Sequence, residues 1–457
     1  MDELQTQIDS YRDEHWGEII ADLESLVKIE SVENLGDATE GAPFGPGPRK
    51  ALDQALAIAE RLGLQAHDCG GYIGFADLKG KSDTQIGIIG HVDVVPAGPS
   101  WSVDPYTVTR RDGYLLGRGV IDDKGPIMIA LHAVKFWKDR CDASGEQLPF
   151  TIRVLFGANE ETNMKDVAYY RAHYDDPAFL FTPDSQFPVG YGESGICSGT
   201  LMSAPQTASR ILEIEGGQAV NAVPGEARAV VGDGSSEASK EYEAHGVAAH
   251  ASTPELGENA IGILVGDLLL NAELSSAERQ FLELLRDFHA DTSGAQVGIA
   301  CEDEHFGPLT MVGGVIKLED GQILQSVDFR YPTTITSSDI EQRMCAWAKR
   351  VGASFRMEHD KAPFLMNPDS PAVQALLDAY SFVTGEDAHG MTSKGGTYAR
   401  CFTTGVSFGL EKPWITNPDW VGSMHGPDEG VSEVLLKQAF SVYARAIGNL
   451  MHVDLAL

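Results

Sequence analysis

The 457-residue chain has six cysteines (Cys69, Cys141, Cys197, Cys301, Cys345 and Cys401), with no C-x-x-C pair and no tight spacing among them. That argues against a disulfide framework and for reduced thiols packed as small core residues. No apolar run approaches membrane-spanning length, and the acidic opening "MDELQTQIDSYRDEHW" lacks the apolar core of a secretory signal. The expected location is therefore the cytoplasm. Positive charge is scarce as well: 34 Lys and Arg stand against 67 Asp and Glu, for a formal net charge of -33. Such a surplus repels phosphate backbones and anionic lipid, so neither nucleic acid nor membrane is an expected partner. The acid is spread along the chain, so most of it reads as solvated surface and a minority as candidate ligands.

With 43% hydrophobic and 22% charged residues, the composition is that of a globular protein long enough for two cores. Trp16, Ile19, Ile20, Leu23, Leu26 and Val27 recur at helical spacing. After the Gly/Pro-rich loop "EGAPFGPGPRK" a second helix is expected in "ALDQALAIAERLGL". The apolar run "IGIIGHVDVVPAG" then stops at His91, with Asp93 two positions on; "FTIRVLFGANEE" runs into Glu160 and Glu161, and "PAFLFTPD" into Asp184. Short apolar runs separated by helical segments such as "GPIMIALHAVKFWKD" predict an α/β fold: a helix-flanked, mostly parallel sheet whose strand ends carry the ligands. Between about 193 and 370 the pattern becomes α+β, which predicts an inserted lid domain. The catalytic domain would then be formed by residues 1–192 and 371–457. No internal repeat or low-complexity tract is present.

His91, Asp93, Asp122, Glu160, Glu161, Asp184 and His425 all lie in loops beside predicted elements. Taken singly, each is as well explained by a turn or a helix cap. As a set of two imidazoles and several carboxylates, they suit zinc or another first-row divalent ion better than magnesium or calcium. "GRGVIDDKGP" adds glycines that permit close backbone approach, and it sets Asp122 and Asp123 just before a helix.

In order along the chain stand "GHVDVVP", "GRGVIDDKG", the Glu pair of "NEETN", "PDSQFP", "GVAAHASTPELGENA" and "MHGPDE". This series resembles the M20 family of dinuclear zinc peptidases. The segments "FTPDSQFPVGYGE", "NAVPGEA", "VDFRYP" and "KGGTYAR" further resemble its PepV-type members, the Xaa-His dipeptidases of bacteria. Two departures stand out: Asn159 occupies a position where aspartate is commoner, and "MHGPDE" differs locally around its histidine.

The resemblance implies two Zn2+ per chain, with Mn2+ or Co2+ as possible substitutes. Asp122 would bridge them, His91 and Asp184 completing one site and Glu161 and His425 the other. Asp93 would orient His91, and Glu160 would be the general base. His250 would stabilise the oxyanion, while Asn221, Arg330 and the amides of Gly395 and Gly396 would contact the substrate. The alternative for Arg330 is a simple pairing with Asp328, and the glycine-rich loop could equally just turn. The peptide between Asp122 and Asp123 is expected to be cis. The expected activity is hydrolysis of short peptides, most plainly dipeptides with a free amino terminus, by a monomer. An aspartate at position 184 goes in this family with dipeptidases rather than with the alternatives, N-acyl amino acid deacylases and carboxypeptidases. A metal- or peptide-binding protein without catalysis is the reading from another class, and the presence of Glu160 argues against it.

Overall fold

The periodic apolar residues near the start form one long helix, Glu3–Val27, which buries Ile8, Trp16, Ile19, Ile20, Leu23, Leu26 and Val27. The next helix, Pro46–Arg61, begins inside the stretch whose composition reads as a loop. Proline fits the first helical turn, where its missing N–H costs no bond, and Gly45 at φ 99° makes the entry turn. The structure, a computed structural model, describes residues 2–205, 209–232 and 239–455. It divides into two compact units, Met1–Tyr191 with Met366–Met391 and Thr397–Leu457, and Gly192–Leu365 with Thr392–Gly396.

The first unit is built on a helix-flanked mixed sheet. In spatial order its strands are Gln65–Cys69, Ile73–Leu78, Thr151–Gly157, Gln85–His91, Phe179–Thr182, Gly405–Ser407 and Val189–Glu193. The four strands from Thr151–Gly157 to Gly405–Ser407 are parallel, and antiparallel strands extend them on both sides. Thr151–Gly157 is buried throughout, as a strand covered on both faces must be. The helices Lys124–Ser144, Pro371–Thr384 and Glu433–Leu450 share the core with the first two. Lys124, fully buried, donates from Nζ to the carbonyls of Leu26 (3.1 Å) and Ile29 (2.8 Å). It thus adds a donor to carbonyls at the end of the first helix.

The second unit is an antiparallel sheet of strands Ser239–His245, Glu226–Gly232, Ile211–Gly216, Thr310–Glu319, Gln322–Tyr331, Gly195–Met202 and Ser354–Lys361, in that order. Gly195–Met202 alternates strictly between buried and half-buried positions, the signature of a sheet with one covered face. Ala260–Asn271, Ser276–Phe288 and Ser337–Lys349 contribute to its core. Among the described residues no helix is long and apolar enough to cross a membrane.

Glu278 ties this unit together. It completes a capping box with Ser275, and its carboxylate also accepts from the backbone N–H groups of Arg210 (2.7 Å) and Ile211 (2.8 Å). Glu278→Ala is expected to destabilise the unit by about 2–3 kcal/mol, through the lost cap and the stranded amides. Hydrogen exchange should accelerate over Ser276–Phe288 and remain unchanged over Lys124–Ser144.

Candidate active site

Parallel pairing brings the strand ends into line. His91, the last residue of Gln85–His91, lies opposite Gly157, from which the chain turns through Ala158 into Glu160 and Glu161. Asp184 follows the neighbouring strand Phe179–Thr182, and Asp122 closes the loop before Lys124–Ser144. His425 arrives from the loop ahead of the last helix, with its backbone in the left-handed region at φ 63°.

Asp122 is the pivot of the arrangement. Its Oδ1 lies 2.9 Å from His91 Nε2 and its Oδ2 lies 2.9 Å from His425 Nε2. Asp184 Oδ2 stands 3.7 Å from His91 Nε2, and Glu161 Oε2 stands 3.1 Å from His425 Nε2. Ligand atoms of His91, Glu160 and Asp184 lie within 4.8 Å of one another, as do those of His91, Asp122 and Glu161. The peptide joining Asp122 and Asp123 is cis.

The electrostatics report a surplus of buried negative charge. Burial and the charge of Asp122 push Asp184 up to about 8. Burial, followed by Asp184, raises Glu160 well above the usual carboxyl range, and burial with Asp122 raises Glu161. Hydrogen bonds to Asp122 and Glu161 push His425 up to about 11. For His91 burial opposes the charge, but the bonds to Asp122 and Asp93 prevail and hold it high. Burial also works against the charge of Asp122, yet the two imidazoles keep it below its ordinary value. Carboxyls that hold on to protons beside imidazoles that keep theirs are a donor set short of cations. Two imidazole nitrogens and four carboxylates therefore fit divalent metal.

The supporting contacts are as ordered as the ligands. His91 Nδ1 lies 3.0 Å from the Asp93 carbonyl and 3.4 Å from its carboxylate. The same carboxylate accepts the N–H groups of Glu160 and Glu161, both at 3.2 Å, a task not visible in H-x-D spacing. Buried Asp166 takes the two preceding amides, Ala158 (2.8 Å) and Asn159 (2.9 Å), and accepts the hydroxyl of buried Tyr398. Four consecutive N–H groups are thus held by two carboxylates. Asn159 donates from Nδ2 to Glu33 (2.7 Å) and Thr162 (2.6 Å), which an aspartate could not do.

Other residues escaped the sequence reading. Glu429, wholly buried, accepts from the amides of Gly119 (2.9 Å), Ile121 (3.1 Å) and Asp122 (3.4 Å) and pairs with buried Arg118. Arg118 in turn donates to the His425 carbonyl at 3.2 Å. The glutamate of "MHGPDE" and the arginine of "GRG" were in view; their pairing was not. Gly90 leaves room for Asp123, whose Oδ2 accepts from the His91 amide at 3.0 Å, and a Cβ there would collide with that carboxylate.

The remaining candidates belong to the second unit. Ala222–Val223 pairs with Ala249–His250, and the Ala251 amide donates to the Asn221 carbonyl at 3.0 Å, so Asn221 and His250 are neighbours. Arg330 is buried and forked onto Asp328, with Nε at 2.7 Å from Oδ1 and Nη2 at 3.3 Å from Oδ2, while Nη1 donates to the Lys394 carbonyl at 3.0 Å. The pairing left open by the sequence is therefore made, with N–H groups to spare on both Nη atoms. The amide of Gly395 donates to Ser393 Oγ at 2.9 Å, within its own loop beside Gly396.

Known proteins resemble this chain in sequence and in fold. A family model described as Peptidase family M20/M25/M40 matches residues 87–449. "Putative dipeptidase YtjP" of Bacillus subtilis is 32% identical over 465 residues, covering 95% of this chain and 97% of that protein. Human carnosine dipeptidase 1 has a similar fold, with a TM-score of 0.63 at 15% identity, over 98% of this chain and 100% of that one. Bacillus subtilis YXEP, described as a dinuclear metal binding peptidase, has a TM-score of 0.50 at 14% identity, over 96% and 98% of the two chains.

Replacing Glu429 by alanine strands the Arg118 charge and frees the Asp122 loop. Glu429→Ala is expected to cost about 3–5 kcal/mol of stability and to lower metal content. Urea unfolding and elemental analysis of the purified variant check both.

Proposed function

The chain belongs to peptidase family M20/M25/M40, and from that membership we propose that it is a dinuclear zinc dipeptidase acting on dipeptides with a free amino terminus. The observation that carries this reading is the Asp122 carboxylate, which presents one oxygen to each of two imidazoles at 2.9 Å. In this reading His91, Asp122 and Asp184 hold one ion, and His425, Glu161 and Asp122 the other. Mixed nitrogen and oxygen donors suit zinc, with Mn2+ or Co2+ as substitutes. When bound, the ions supply Lewis acidity toward the scissile carbonyl and toward water.

Glu160 is the proposed general base. It takes a proton from water and returns it to the departing amine. Its backbone is fixed by Asp93, and the neighbouring Glu161 faces His425. One turn thus offers a shuttle and a ligand from consecutive residues. Asp93 holds His91 through Nδ1, leaving Nε2 for metal.

For the second unit the proposal rests on the motifs. His250 would stabilise the oxyanion, and Asn221, Arg330, Gly395 and Gly396 would bind the substrate termini. The adjacency of Asn221 and His250 supports treating them as one functional patch. Residues 193–370 are proposed to act as a lid that limits substrate length. The protein is proposed to work as a monomer in the cytoplasm; a sedimentation mass of twice one chain would contradict the first of these.

Zinc-loaded enzyme is expected to cleave Ala-His and to spare both N-acetyl-Ala-His and a tripeptide extension, as followed by chromatography. Release of acetate from the blocked compound would instead mean a deacylase. Glu160→Gln is expected to keep its metal and lose turnover by about a thousandfold, whereas Asp122→Ala loses the metal too. Full activity in the glutamine variant would remove Glu160 from the mechanism.

A further inference from the structure

A cavity of about 210 Å³ lies in the first unit beside the Asp122 loop. Two of its walls adjoin segments that carry the proposed metal ligands. Ile121 immediately precedes Asp122, and Glu411 is in register with Gln186, two residues past Asp184. Val431 and Leu435 add apolar surface, and Asn417 and Gln438 add amide groups. The volume suits one extended side chain rather than a second peptide.

The Glu411 carboxylate makes no hydrogen bond or ion pair among the described residues; its backbone carbonyl accepts from the Phe187 amide at 2.8 Å. Apart from its partial burial, the influence on its charge is the like charge of Asp122. The nearest cation in sequence, Lys412, is already engaged: its Nζ lies 2.7 Å from Glu386 Oε1 and 5.1 Å from the centre of the Tyr380 ring. Lys412 also lines the cavity, but with its ammonium committed to Glu386 the Glu411 carboxylate, set among apolar and amide groups, is complementary to a ligand cation carried on an aliphatic stem.

We propose that this cavity binds the lysine-type side chain of a dipeptide substrate, with Glu411 receiving its ammonium and the apolar walls its methylenes. The proposal rests on the dipeptidase reading and deepens it: it names a cationic side chain at one of the two substrate positions as the preferred class. Norleucine is the neutral comparison, because it has the same stem without the ammonium.

The test compares Lys-Ala and Ala-Lys with norleucyl-Ala and Ala-norleucine, both in kcat/KM and by calorimetric titration into Glu160→Gln, where binding is read without turnover. At one position the lysyl peptide is expected to be favoured by about tenfold or more, as a charge-assisted hydrogen bond would give. Glu411→Gln should bring that ratio close to one, and Glu411→Asp should leave an intermediate value. Equal treatment of lysine and norleucine at both positions, or a preference that survives Glu411→Gln, overturns the proposal. Loss of the dipeptidase reading would look different: no dipeptide is cleaved by the wild-type enzyme, while calorimetry still decides whether the pocket selects the ammonium.

Discussion

Carboxylates repel one another, and the first unit gathers an unusual number of them around two imidazoles. Asp122, Glu160, Glu161 and Asp184 share one small volume, with Asp93, Asp123 and Glu429 buried close behind. Each of the three behind is held by N–H groups: those of Glu160 and Glu161 for Asp93, of His91 for Asp123, and of Gly119, Ile121 and Asp122 for Glu429. Among the described residues the side chains of the front four accept no backbone N–H, and Asp122 and Glu161 meet only the two imidazoles. Backbone amides thus stabilise the scaffold's charge, while the charge at the front is left for cations to neutralise, and this division decides which residues can act as ligands.

Much of the site was legible because the fold delivers it by a simple rule. His91, the Glu160–Glu161 pair and Asp184 each follow a short apolar run, and parallel strands put such ends side by side. What the sequence could not display are bonds between distant segments. Tyr398 and Asp166 are 232 positions apart, and Arg118 and Glu429 are 311 apart. No local pattern marks either pair, since a lone buried tyrosine or arginine reads as packing. The helix start at Pro46 was hidden for another reason: glycine and proline signal a loop by composition and a helix entry by geometry. Likewise, apolar runs identify buried strands without direction, so the antiparallel flanks of the sheet were not distinguishable from its parallel centre.

In the second unit the sequence motifs single out residues without showing what holds them. Asn221 and His250 are brought together by a two-residue ribbon, and Arg330 is fixed by a forked pair with Asp328. That pair pre-orders a guanidinium that would otherwise lose considerable side-chain freedom on binding a ligand.

The long separation between Arg118 and Glu429 has a consequence for how the protein is made. The second unit is nearly continuous in sequence, from Gly192 to Leu365, so it can form while the ribosome is still at work. The first unit cannot close until its final segment emerges, because Glu429 holds the Asp122 loop and His425 packs its imidazole against Asp122. A nascent chain therefore carries the Asp122 loop without the Glu429 carboxylate that holds it. If Asp122 and His425 hold metal as proposed, an ion met at that stage would find an incomplete set of donors, and the completed site would form only after translation has ended.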